Sequence, residues 1–157
     1  MHKALFLVTL TGAALGLLWP SGPKPKPAPF AVAAAGQPKQ TLLRRADSGH
    51  FYVDAQVNGE PVNFVVDTGA TAVTLTEEDA RRIGIQFSRN DFGPIGWGAS
   101  GEVRGLMLTL DRVSVDGKEA TGVSAAIAEG LGQSLLGQSY LSQISSVEMS
   151  GDYMRLQ

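Results

Sequence analysis

From His50 onward the chain alternates. Phe51, Val53, Ala55 and Val57 fall on one face and Tyr52, Asp54 and Gln56 on the other, the period of two expected of a half-buried strand. Asn58-Gly59 follows, and both residues tolerate the positive φ of a type I′ turn. Val62, Phe64 and Val66 return on one face. Residues 50–66 therefore predict a β-hairpin whose second strand runs straight into Asp67-Thr68-Gly69-Ala70. Ala72 to Leu75 predicts another strand. Thr76-Glu77-Glu78-Asp79 then opens a short helix: Thr76 can cap it, three acids favour the positive end of its dipole, and Gly84 can end it.

Farther along, 102–115 predicts a long strand, Asp116-Gly117 a second tight turn, and Val123 to Ala128 the return. Ser134-Leu135-Leu136-Gly137 reads as a short buried strand, and Gln138 to Gln143 as one or two helical turns. Val147-Glu148-Met149 and Tyr153 to Leu156 form a terminal hairpin about Ser150-Gly151-Asp152. Many short strands with one or two small helices predict an all-β, closed barrel.

The first forty-five residues follow no such pattern. Met1-His2-Lys3 is a short basic start, and Ala4 to Trp19 carries no charge. That run is longer than a usual signal-peptide core and just short of the roughly 20 residues that span a bilayer. Ala31-Val32-Ala33 offers a cleavage motif far beyond the run's end, so residues 1–20 read as a signal-anchor with Trp19 at the interface, a cleaved signal peptide being the alternative. Pro20, Pro23, Pro25, Pro27 and Pro29 then predict an extended spacer. With the Ala-rich and polar stretch behind them they make a linker over 21–46, leaving 47–157 as the folded domain. Lys24 and Lys26 beyond the apolar run leave the orientation open. The expectation is a single-pass protein of a bacterial inner membrane with a periplasmic body.

Composition narrows the chemistry. At 157 residues with no Cys and two His, the chain excludes a TIM barrel, a disulfide scaffold, a thiol nucleophile, and Cys- or His-rich metal sites. No cofactor or metal is expected. The net charge of -2 conceals a split: Lys3, Lys24, Lys26, Lys39, Arg44 and Arg45 face no acid before residue 46, whereas all 15 acidic residues lie after it. An acidic body argues against nucleic acid as a partner.

Asp67-Thr68-Gly69 stands out against this background. The apolar strand Phe64-Val65-Val66 enters it and the small Ala70 leaves it; Thr68 can hydrogen-bond locally and Gly69 lets backbone approach the carboxylate. Phe64 to Ala70 resembles the active-site loop of aspartic proteases. About seventy residues on, Leu135-Leu136-Gly137 followed by a short helix resembles the second signature of that family, a strand that threads beneath the loop. In motif order and spacing, 47–157 is similar to the retroviral-type (retropepsin-like) proteases, closest to short bacterial members with an N-terminal anchor.

The resemblance implies a single-lobe barrel that is active as a C2 homodimer. The chemistry needs two carboxylates about 3 Å apart that share a proton, and one chain supplies one, Asp67. It implies Thr68 bonding across the axis, Gly69 and Ala70 supporting the loop, and a peptide or protein substrate. It also makes Phe92 to Gly105 the flap, with Trp97, Gly98, Ala99, Ser100 and Gly101 at a pliable tip that contacts substrate. Gly96 to Gly101 also spells the G-x-G-x-x-G dinucleotide fingerprint. That reading needs a parallel strand before and a helix after, whereas Glu102 to Leu110 reads as strand.

One departure stands beside the resemblance. Retroviral relatives place Arg after the second-signature Gly to tie the dimer; Gln138-Ser139 stand here, so that ion pair cannot form. Tethering both partners to a membrane would offset weak pairing. The Tyr153 to Leu156 strand is expected to join an intersubunit sheet, as family termini do. The rival readings are a catalytically silent retropepsin-fold module that binds peptide or dimerises, and an envelope barrel in which Asp67 is a turn residue. His50 reads as a polar residue at a strand start, and Glu77-Glu78-Asp79 as a helix start rather than metal ligands.

Overall fold

The computed structural model describes residues 38–98 and 101–157. The expected anchor, most of the linker, and Ala99 and Ser100 of the flap tip lie outside the described residues. Among the described residues no helix is long and apolar enough to cross a membrane.

The first hairpin forms as its pattern predicts. β1 is a short strand considered below (Thr41–Arg44), β2 is Tyr52–Val57 and β3 is Glu60–Val66. Asn58 and Gly59 take φ of 52° and 97° between β2 and β3, the left-handed pair of a type I′ turn. Phe51, Val53, Ala55 and Val57 are all buried. β4 is Val73–Leu75, and α1 (Glu77–Arg82) starts on Thr76, whose hydroxyl accepts from the Asp79 amide. β5 (Gly93–Gly98) and β6 (Gly101–Val115) form the flap hairpin, and β7 (Lys118–Ala128) returns along β6. β8 is Leu135–Leu136, α2 is Gln138–Leu141, and β9 (Val147–Ser150) and β10 (Tyr153–Leu156) close the chain.

Six strands close on themselves in the order β2, β3, β8, β4, β7, β6, with β6 pairing back onto β2. The alternating apolar sides of these strands point inward: Phe64, Leu75, Leu110, Val113, Ile127 and Leu136 are fully buried. Tyr140 of α2 plugs the same core, its hydroxyl donating to the Lys118 carbonyl at 2.9 Å. β5 hangs from the edge of β6 outside this ring.

One expectation changes. Thr41–Arg44, assigned to the linker by its polar surroundings, is a strand in a second sheet of order β1-β10-β9. Its first turn is pinned by Lys118, a buried side chain that donates to the Lys39 carbonyl and the Thr41 hydroxyl. Four residues show too little alternation to reveal a strand whose partner lies more than a hundred positions away. In that sheet β1 and β9 of its own chain lie along the two edges of Tyr153–Leu156.

Candidate active site

Asp67 follows the last residue of β3, and the strand beneath it dictates its position. β8 lies parallel to β3 and antiparallel to β4. The Leu136 carbonyl accepts the Asp67 amide at 3.1 Å, and the Ser134 carbonyl accepts that of Val65 at 2.9 Å. The loop from Asp67 to Ala72 therefore arches over the end of β8. Within the loop the Gly69 amide donates to Asp67 Oδ1 at 2.9 Å, and the Ala70 amide to the Asp67 carbonyl at 3.2 Å. A Cβ on Gly69 would stand 3.3 Å from that same Oδ1, so the small residue lets the backbone close on the carboxylate. The Asp67 side chain is half-exposed and Thr68 is exposed.

Gly137 is where the two signatures touch. A Cβ there would meet the Ala72 carbonyl oxygen at 2.2 Å and that of Ala70 at 2.7 Å. The following amides of Gln138 and Ser139 donate to the Ala70 and Thr71 carbonyls at 2.8 and 3.0 Å. The Gln138 side chain reaches back to the Thr68 carbonyl at 2.9 Å, so the residue that replaces the family Arg holds the loop of its own chain. Ser139 Oγ accepts from the Val73 amide at 2.9 Å and donates to the Ser124 carbonyl at 2.7 Å.

Buried Ser134 does the same for α1, accepting from the Thr76 amide at 3.0 Å and donating to Asp79. These three polar residues went unrecognised in the sequence. Their signal is faint: uncharged side chains directly flanking Leu135-Leu136-Gly137.

A groove of about 410 Å³ opens at Asp67, lined by His50, Tyr52, Val65, Leu131, Gln133 and Leu135 among others. His50 sits at its rim and Leu135 in its wall. A second hollow of about 440 Å³ lies between Gly98 and Gly101 to Arg104 of the flap and the segment Ala128 to Leu131. Leu131 lines both, so a chain passing Asp67 can run on beneath the flap. A larger hollow, about 580 Å³, lies around Glu77, Asp79 and Arg89 and does not include Asp67; the reactive carboxylate, not volume, marks the candidate site.

The flap is antiparallel, with Trp97 opposite Glu102 and Gly98 opposite Gly101. The G-x-G-x-x-G glycines thus sit in a hairpin with no helix behind them. Trp97 is 83% exposed, so most of its indole faces solvent. Gly105 seats the flap, because a Cβ there would stand 2.1 Å from the Ile127 carbonyl oxygen.

Glu77 is no metal ligand in this arrangement. Its buried carboxylate takes two bonds from Arg89 and one from Arg81, all within 2.9 Å. The Arg89 guanidinium holds it below the ordinary carboxylate range against the cost of burial.

The sequence model of the family described as "gag-polyprotein putative aspartyl protease" matches residues 53–143, the stretch that carries both signatures and the flap. The chain belongs to this family. The fold of these retropepsin-like aspartic proteases is equally evident in a crystal structure of one from Rickettsia conorii, which is 31% identical with a TM-score of 0.62, over 75% of this chain and 89% of that one. Two uncharacterised relatives are also similar. A Sinorhizobium protein from the cobV 5′ region is 32% identical over 120 residues, 75% of this chain and 52% of its own. Protein RP867 of Rickettsia prowazekii (strain Madrid E) is 31% identical over 118 residues, 74% and 51%. The chain spans about half the length of these curated relatives.

Proposed function

We propose that this retropepsin-like domain is one half of an aspartic endopeptidase, completed by a second copy that brings its own Asp67 to a two-fold axis. The observation that carries the reading is the built Asp67 loop: a half-exposed carboxylate, bonded by Gly69 and braced by β8 and Gln138, at the mouth of a peptide-sized groove. One carboxylate cannot be general base and general acid at once. Two, close together, share a proton because both cannot ionise.

The ionised member takes a proton from a water as its oxygen attacks the scissile carbonyl carbon, while the protonated member donates to the carbonyl oxygen. The resulting diol collapses, the C–N bond breaks, and the amine leaves with a proton from the dyad. Val65, Leu131 and Leu135 give the groove apolar walls for substrate side chains. Thr68, exposed beside Asp67, is free to meet the partner loop, and Trp97 on the flap is free to cover bound peptide.

The apolar run Ala4 to Trp19 and the Pro-rich spacer support a domain tethered at a bacterial inner membrane, with its body in the periplasm. Tethering would raise the effective concentration of the two halves.

Asp67→Asn tests the reading. The amide keeps an oxygen for the Gly69 bond, so the variant should fold like the parent, yet cleavage of a peptide library should fall by at least a thousandfold. Undiminished cleavage would overturn the proposal. Peptide binding without turnover by the parent would favour the silent module instead.

A further inference from the structure

The Asp67 groove leaves one polar side chain of its rim without a task. Phe51, just ahead of β2, is buried, so by alternation His50 and Tyr52 project to the opposite side, and both line the groove beside Asp67. The backbone fixes His50 there. Its carbonyl accepts the Ala46 amide at 2.9 Å, and the Gly49 amide donates to the Ala46 carbonyl at 2.8 Å. Arg45 donates to the Gly49 carbonyl at 2.9 Å and lies 4.5 Å from the centroid of the Phe51 ring. On the other flank the Phe51 carbonyl accepts the amide of Val66, the residue before Asp67, at 2.9 Å. His50 is thus tied from both sides to one position along the groove.

Charge sets it apart from its neighbours. Of the residues that line this groove, His50 alone can carry a positive charge. It is exposed, and no ion pair among the described residues uses it. The other titratable groups around it are few. Asp47 lies in the turn before it, Tyr52 follows with its hydroxyl 3.2 Å from Ser48 Oγ, and Asp67 comes directly after β3. From the segment between β7 and β8 come Leu131 and Gln133, both uncharged, and the Gln133 amide donates to the Asn63 carbonyl at 2.8 Å. Arg45 is engaged with Gly49, Gly151 and Asp152. The walls at Val65, Leu131 and Leu135 are apolar. An imidazolium at the rim of such a groove is best satisfied by a carboxylate that the substrate brings.

We infer that His50 is a specificity-determining residue: protonated, it donates to an Asp or Glu side chain of the bound peptide. The substrates are then proteins with an acidic residue at a fixed distance from the scissile bond, which rests on the endopeptidase reading above. In a two-fold dimer His50 occurs twice, so an acid is favoured once on each side of the scissile bond, at matching distances. The pair exists only while the substrate carboxylate is ionised and the imidazole protonated. Preference for the acid therefore rises as pH climbs through the carboxylate range and is lost as imidazole gives up its proton.

Peptides carrying Glu or Gln at each position in turn, on either side of the scissile bond, isolate this contact. The full-length chain is used in detergent, and the ratio of kcat/KM is taken for each Glu/Gln pair. That ratio cancels the titration of Asp67, Asp47 and Tyr52, which both peptides meet alike. For the parent it should reach about fivefold at one position on each side near about pH 5.5, the size of a solvent-facing ion pair, and approach unity by about pH 8. His50→Gln should bring the ratio to unity at every pH, whatever the absolute rate. His50→Arg should hold it at about fivefold up to about pH 8, because a guanidinium keeps its charge. A purely structural role for His50 would change both peptides equally and leave the ratio untouched.

A parent ratio below about twofold at every position, or one that His50→Gln leaves unchanged, overturns the inference while the endopeptidase reading stands. A parent that binds these peptides and cleaves none overturns the endopeptidase reading. The Glu/Gln ratio of dissociation constants, in parent and His50→Gln, then decides the role of His50 by the same criterion.

Discussion

Gly137→Ala isolates the contact between the two signatures. Gly137 has φ −95° and ψ −173°, extended backbone that alanine adopts freely, so conformational strain plays no part and the effect is steric. The added Cβ would lie 2.2 Å from the Ala72 carbonyl oxygen and 2.7 Å from that of Ala70. Restoring ordinary contact demands a displacement of about 1 Å between the β8–α2 junction and the loop that carries Asp67. That movement breaks or stretches the Gln138 and Ser139 amide bonds to Ala70 and Thr71, worth about 1 kcal/mol each. Overpacking adds about 2 kcal/mol, and the stiffer unfolded chain returns about 0.7 kcal/mol.

The net loss is roughly 3 kcal/mol, a large share of an ordinary domain's stability. At a urea m-value of about 2 kcal/mol/M, the unfolding midpoint should fall by about 1.5 M. Peptide cleavage at concentrations where the variant is folded should drop about a hundredfold, the usual consequence of a 1 Å misplacement of a catalytic group. A midpoint within about 0.3 M of the parent would refute the claim that β8 wedges the loop from below.

Two further predictions concern the supports around the site. Glu77 is held below its ordinary range by Arg89 and then Arg81. Burial works against the charge on Asp79, but bonds from Ser134, Arg82 and Thr76 prevail and lower it as well. Carboxyls lowered on folding contribute stability that is complete above the ordinary range of about pH 4–4.5 and is lost as pH falls through the lowered values. Melting temperature should therefore decline on acidification below about pH 4.5, and less steeply in Glu77→Gln; an identical acid slope in that variant would count against the network. Tyr140→Phe leaves the Lys118 carbonyl without its buried partner and should cost about 1 kcal/mol, a fall of about 4 °C in Tm by calorimetry. An unchanged Tm would show that the bond contributes nothing net.

Local chemistry made much of this molecule legible in one dimension. Asn58-Gly59 and Asp116-Gly117 adopt positive φ, at 52° and 97° and at 48° and 81°, because those residue types pay least for it. β2 buries every second residue, and Thr76 caps α1, for reasons contained within a few neighbours. Asp67-Thr68-Gly69 and Leu135-Leu136-Gly137 were visible as motifs, and the family resemblance implied that they meet.

What they do to each other depended on three dimensions. Gln138 finds the Thr68 carbonyl across 70 positions of sequence, and a glutamine after a glycine carries no local sign of it. β1 becomes a strand because β10 offers it a ladder, and β10 lies between β1 and β9. Propensity and alternation act over a few residues. Which strand fills which edge, and so which edge remains open, is decided by the closed sheet as a whole.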